Sequence, residues 1–185
     1  LNTEKDRIVS ELLLIRYLRG DTSAFDELVR HWQGRLFYYV MRLLSNEEDA
    51  WDALQDTWIA VARNAGKLSE PHSLVPWLYK IARNKAVDRL KTRYDQQAVS
   101  MDCDDIAAAE EDVGITSFAD ADLVHAALEK VSLGHREVLT LYFLRDLTME
   151  EISQVLAVAP GTIKSRLHFA KKALRAVLEE EGLTP

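Results

Sequence analysis

The sequence predicts an all-α chain: two small helical domains joined by a flexible acidic linker, the second containing a helix-turn-helix. Three observations carry that expectation. Apolar residues recur at 3–4 residue spacing nearly everywhere outside the middle of the chain, and no alternating β-run appears. Residues 95–127 hold nine acids and no Lys or Arg, and the stretch from Tyr94 to Ser117 lacks sustained periodicity, as a solvated tether does. Near the C-terminus a capped short helix, a tight turn and a proline-led helix follow one another.

The 185 residues suit two modest cores. No run reaches the roughly 18–20 apolar residues of a membrane span, and no charged-then-apolar leader opens the chain, so the expectation is a cytoplasmic protein without membrane insertion. The single Cys103 excludes an internal disulfide framework and lies in an acidic stretch without metal-ligand spacing. The net charge of −7 argues against nucleic acid only when read globally. Residues 1–94 carry 15 Lys/Arg against 13 Asp/Glu, and residues 128–185 carry eight of each. The acidity is concentrated between them, and the flanks are read separately.

In chain order, a first helix is expected from Asp6 to Leu18, stopped by Gly20. The second, Ser23 to Leu44, should bury Phe25, Leu28, Val29, Trp32, Leu36 and Val40. Ser45 with Glu48 forms a capping-box pattern opening a third helix to about Ala65. A polar loop, Gly66 to Ser73, precedes a fourth helix with Pro76 in its first turn, ending near Arg93. After the linker, helices are expected over Ala119–Lys130, Leu133–Leu144, Thr148–Leu156 and Pro160–Glu181. The domain boundaries expected are 1–94, 95–118 and 119–185.

The segment Leu147–Arg175 is the strongest local signal. Thr148 and Glu151 form a capping box, Ile152, Val155 and Leu156 give one apolar face, and Ala157–Ala159 leads to Pro160 at the start of the next helix. Two short helices so joined make a helix-turn-helix, whose second helix enters the DNA major groove. On that helix Ile163, Leu167, Ala170, Leu174 and Leu178 share one arc, while Lys164, Ser165, His168, Lys171, Lys172 and Arg175 fill another. Five bases and no acid lie between Lys164 and Arg175. An isolated basic stripe is ordinarily a solvated bundle face; joined to the capped helix, the turn and the proline it reads as a phosphate- and base-facing surface.

Thr162-Ile-Lys-Ser-Arg-Leu-His-Phe-Ala-Lys-Lys-Ala-Leu174, with the preceding Glu150-Glu-Ile-Ser153, resembles the region-four recognition helix of bacterial RNA polymerase sigma factors. The resemblance implies that this helix reads the upstream (minus-35) promoter element in duplex form, with Lys164, Ser165 and His168 facing the bases. Thr162, Arg166, Phe169, Lys171, Lys172 and Arg175 complete the candidate DNA-binding set. Phe169 stands where the family commonly has Arg, and it suits either a thymine methyl or packing against the neighbouring domain surface.

Trp77-Leu-Tyr-Lys-Ile-Ala-Arg-Asn-Lys-Ala-Val-Asp-Arg-Leu90 is similar to region two of the extracytoplasmic-function (group 4) sigma factors. Independently of any family, Lys80–Arg93 carries six bases and only Asp88. Lys80, Arg83, Asn84 and Lys91 project within about a 100° arc with Trp77 at its edge, a surface suited to single-stranded DNA. Trp77 suits ordinary core as well, and Lys85 and Arg89 point to the other side. By resemblance, Gly66–Ser73 cradles a base flipped from the melted downstream (minus-10) element, at a cost of about a few kcal/mol offset by pocket contacts.

On the third helix Trp51, Leu54, Trp58 and Val61 read as core. The opposite side holds Asp52, Gln55, Asp56 and Arg63, with Ile59 among them. Glu48-Asp-Ala-Trp-Asp-Ala-Leu-Gln-Asp-Thr57 is similar to the family segment that docks on the polymerase clamp helices, so the resemblance makes Asp52, Gln55, Asp56 and Ile59 the core polymerase contacts, Asp56 standing where Glu is common.

The linker acids lack the ligand ladder and central Gly of an EF-hand. His31, His72, His125 and His135 are scattered, and no phosphate loop, catalytic triad or metal signature appears, so neither an enzyme nor a cofactor or metal is expected. The partners implied are core RNA polymerase, promoter DNA and an anti-sigma factor. A stand-alone helix-turn-helix regulator is the alternative, and it would bind duplex DNA tightly without polymerase.

Overall fold

A computed structural model describes residues 4–68, 70–95 and 121–181. The acidic stretch expected to form the linker lies largely outside the described residues, as does Cys103. Among the described residues every regular element is helical, and the chain divides into two compact units. No helix among the described residues is long and apolar enough to cross a membrane.

The N-terminal unit is built from α1 (Glu4–Leu18), α2 (Thr22–Leu44), α3 (Glu47–Asn64) and α4 (Leu74–Asp95). Gly20 ends α1 as expected: at φ 99° it takes the left-handed turn that a side chain resists, and its N–H donates to the Tyr17 carbonyl at 2.9 Å. Asp21 then caps α2, accepting from the Ser23 N–H at 3.1 Å and the Ser23 hydroxyl at 2.6 Å. Those bonds, with Arg16 alongside at 2.7 Å, hold the Asp21 carboxyl below its usual range. The α2 core stripe is Leu28, Trp32, Leu36 and Val40, joined by Ala24, Tyr39, Leu43 and Leu44; Phe25 and Val29, expected with them, are half-buried. The buried Trp32 indole donates to Ser10 Oγ at 2.9 Å, and Ser10 in turn donates to the Asp6 carbonyl. This satisfies the one polar atom that tryptophan takes into the core.

Two expectations about α3 are corrected. Its cap is Asn46, whose side-chain oxygen accepts from the Asp49 N–H at 2.9 Å. Ser45 instead closes α2 in the left-handed conformation, donating its N–H to Met41, so it is unavailable to open the next helix. Trp51 is not core: it is 45% exposed and stacks on Phe37 at 4.2 Å, while the buried face consists of Ala50, Ala53, Leu54, Thr57 and Val61. A helix that packs closely on neighbours at both sides has room for alanines, not for two indoles. Trp58 is half-buried, edge-on to Phe25.

Between α3 and α4 the expected polar loop contains two tight 3₁₀ turns, Ala65–Lys67 and Pro71–Ser73. The second runs directly into α4, which therefore starts two residues before Pro76.

The C-terminal unit comprises α5 (Ala121–Lys130), α6 (Leu133–Leu139), α7 (Met149–Leu156) and α8 (Pro160–Glu180). The expected single helix to Leu144 is α-helical only to Leu139; Thr140–Leu144 widens into a π turn, and Asp146 at φ 51° then reverses the chain. Arg136 on α6 closes the end of α5, its guanidinium donating to the carbonyls of Leu128 (2.8 Å), Glu129 (2.7 Å) and Val131 (3.4 Å). Helix ends leave such carbonyls without partners, and a cation there also complements the negative end of the helix dipole.

Candidate nucleic-acid and docking surfaces

The turn between α7 and α8 is pinned from both sides. Thr148 Oγ1 accepts from the Glu151 N–H at 3.2 Å while Glu151 accepts from the Thr148 N–H at 2.9 Å, the capping box expected. At the other end of α7, Ala157 is left-handed at φ 56° and Ser153 Oγ donates to the Val158 carbonyl at 2.6 Å. Pro160 then occupies the first turn of α8, where its missing N–H costs nothing.

Helix α8 buries Ile163, Leu167, Ala170, Leu174 and Leu178, all five residues of the expected apolar arc. Lys164, Lys172 and Arg175 are exposed; Thr162, Ser165, Arg166, His168, Phe169 and Lys171 are half-buried. The arc is not uniform. Lys171 Nζ lies 5.7 Å from the Tyr142 ring and 5.4 Å from that of Phe143, which the π turn leaves 38% exposed. Arg175 pairs with Glu179 at 2.9 Å. Ser165 donates back to the carbonyls of Thr162 (3.1 Å) and Gly161 (3.3 Å), leaving its oxygen as an acceptor. Phe169 meets the His168 ring edge-on at 5.4 Å. Burial, and after it the charge of Arg166, push the His135 imidazole below its usual range.

On α4, Lys80, Asn84 and Lys91 are exposed and Arg83 is half-buried. Trp77 is also half-buried, neither core nor free surface. On α3, Gln55 is exposed and Ile59 is 48% exposed, an apolar residue among charges as expected.

Sequence reasoning missed what Asp52 and Asp56 do at rest. Arg89 of α4 donates to Asp52 at 2.8 Å and to Asp56 at 3.5 Å, bridging the two carboxylates from the helix behind. These bonds raise the Arg89 pKa against the opposing effect of its partial burial. The only sequence signal was that Arg89 points away from the basic arc, and finding its partners needs the register between two helices.

These surfaces fall inside two family matches. The model of sigma-70 region 2 matches residues 28–95, and that of sigma-70 region 4 matches residues 121–174. The ECF RNA polymerase sigma factor SigE of Mycolicibacterium smegmatis is 34% identical over 171 residues, covering 88% of this chain and 66% of its own. SigL of Mycobacterium tuberculosis is 31% identical, covering 80% of this chain and 85% of its own, and SigW of Bacillus subtilis is 26% identical, covering 88% and 92%. In fold, the chain is similar to CnrH, solved in complex with the cytosolic domain of CnrY (TM-score 0.68, 22% identity, 94% of this chain and 99% of that one). It is likewise similar to the sigma factor RpoE of Bartonella quintana, solved with the anti-sigma factor NepR (TM-score 0.66, 24% identity, 84% and 96%). With both regions present in order, and relatives alike over most of their length, the chain belongs to the extracytoplasmic-function sigma factors of RNA polymerase.

Proposed function

We propose that this chain binds core RNA polymerase through the outer face of α3, captures the non-template strand of the opening downstream promoter element along α4, and holds the upstream element as duplex with α8. The observation that supports it is one arrangement: a half-exposed acidic, amide and apolar face on α3 and a basic face on the adjoining helix α4, both within the region-2 match and ahead of a helix-turn-helix. Asp52, Gln55, Asp56 and Ile59 form the docking face. Trp77, Lys80, Arg83, Asn84 and Lys91 hold the single strand, phosphates by charge and bases by stacking. Lys164, Ser165 and His168 face upstream base edges, with Lys172 and Arg175 on phosphates.

Promoter melting follows from differential binding: a surface that takes the open strand better than the duplex shifts the equilibrium toward opening without nucleotide hydrolysis. The chain is therefore a specificity subunit and not an enzyme. Residues 1–94 serve polymerase and the downstream element, 95–118 tether, and 119–185 serve the upstream element. An anti-sigma factor is a further partner proposed from the family.

The test is a pull-down and run-off transcription with purified core RNA polymerase, comparing wild type with Asp52→Arg/Asp56→Arg. Stable association and promoter-dependent transcripts, both lost in the double variant, are expected. No association with core, alongside tight binding of the chain alone to duplex DNA, would replace this reading with a stand-alone regulator.

A further inference from the structure

Asp52 and Asp56 sit one helical turn apart on α3, a spacing at which like charges repel. Arg89 relieves that repulsion in a particular way. Its Nη1 takes Asp52 Oδ2 at 2.8 Å and its Nη2 takes Asp56 Oδ2 at 3.5 Å. One oxygen of each carboxylate is thus engaged, while among the described residues neither Oδ1 has a partner. The Arg89 side chain is 33% exposed, against 50% and 47% for the two aspartates, so the cation is the more sheltered of the three. A lysine would touch both oxygens only through one freely rotating ammonium, whereas the planar guanidinium holds each from its own nitrogen at a fixed spacing.

We infer that Arg89 is a positioning residue for polymerase docking: it clamps Asp52 and Asp56 so that their two remaining oxygens meet cationic groups of the polymerase together. The inference rests on the docking reading above and deepens it, since the docking face becomes a joint product of α3 and α4. It also assigns a role to a base that neither DNA-facing surface uses.

Two effects of removing Arg89 oppose each other. A partner cation would meet a more negative surface, which favours association, but the long-range part of that gain is screened beyond a Debye length of about 8 Å. The carboxylates would also repel and rotate freely, and docking would have to order both of them, a cost that salt does not remove. The second effect prevails at physiological salt, giving about tenfold weaker binding.

The experiment measures the affinity of the full chain for core RNA polymerase at low and physiological salt, with thermal melting as a fold control. Arg89→Ala should bind about tenfold more weakly than wild type at physiological salt, and in an Asp52→Ala background the same change should cost about threefold or less. Equal or tighter binding by Arg89→Ala, or the same loss in the Asp52→Ala background, would overturn the clamp. If Arg89→Ala melts early, Arg89→Lys decides: it keeps the charge but not the fork, so weaker binding by a folded Lys variant supports the clamp and wild-type affinity refutes it. Wild type failing to bind core at all would sink the docking reading and the clamp with it, whereas binding insensitive to Arg89 sinks the clamp alone.

Discussion

The two units reach stability by different routes. The N-terminal unit has helices of 15, 23, 18 and 22 residues around buried aromatics: Trp32 lies edge-on to Tyr79 at 6.1 Å, and Tyr39 edge-on to Tyr79 at 5.3 Å. The C-terminal unit has helices of 10, 7 and 8 residues beside one of 21, and among the described residues its fully buried large side chains are aliphatic, Leu139, Leu141, Ile152 and Ile163 among them. A long helix dilutes the cost of its frayed ends, while in a helix of two turns the ends are most of the structure. The C-terminal unit accordingly spends its polar side chains on helix ends: Arg136 on the carbonyls closing α5, Thr148 and Glu151 opening α7, Ser153 on the turn after it. Both units cap their helices, Asp21 and Asn46 doing so in the first, but among the described residues it is the first that adds buried aromatics to its core.

Three substitutions would break or sharpen that contrast. Trp32→Ala should cost about 3–5 kcal/mol and fall on the N-terminal unit alone. Denaturant unfolding with residue-resolved hydrogen exchange would show it, and equal losses in both units would erase the distinction. Arg136→Ala leaves three carbonyls without their donor and should cost about 1–3 kcal/mol, confined to the C-terminal unit. Arg136→Lys should recover little of it, because one ammonium cannot span three acceptors. Smallest in size, Ala157→Gly should raise the C-terminal melting midpoint, gaining about 0.5–1 kcal/mol by relieving a left-handed alanine. A lower midpoint would show that the Ala157 methyl contributes packing that outweighs its backbone strain.

Local signals were legible in the sequence wherever a residue acts within its own helix turn. The Gly20 stop, the Thr148–Glu151 capping box, the proline start of α8 and its five buried residues all follow from spacing along one segment. The misses arose where two adjacent candidates compete or where a second helix decides. Ser45 and Asn46 are both good caps, and only the left-handed end of α2 assigns the role to Asn46. Trp51 has the period of a core residue, yet the close approach of helices around α3 admits alanines and turns the indole out to Phe37. The π turn has no periodic signature at all. Arg89 could be set aside from the DNA-facing arc by its angle, but its bridge to Asp52 and Asp56 depends on how α3 and α4 are paired.

The cation held over Tyr142 and Phe143 has a thermodynamic consequence. Each Lys or Arg that neutralises a phosphate releases condensed counterions, and the slope of log affinity against log salt counts those cations. Between Lys164 and Arg175 the chain carries five bases, but Lys171 already rests on two rings. Binding of α8 to duplex DNA should therefore be less sensitive to ionic strength than its sequence charge suggests, leaving more of its affinity to contacts that depend on which bases are present.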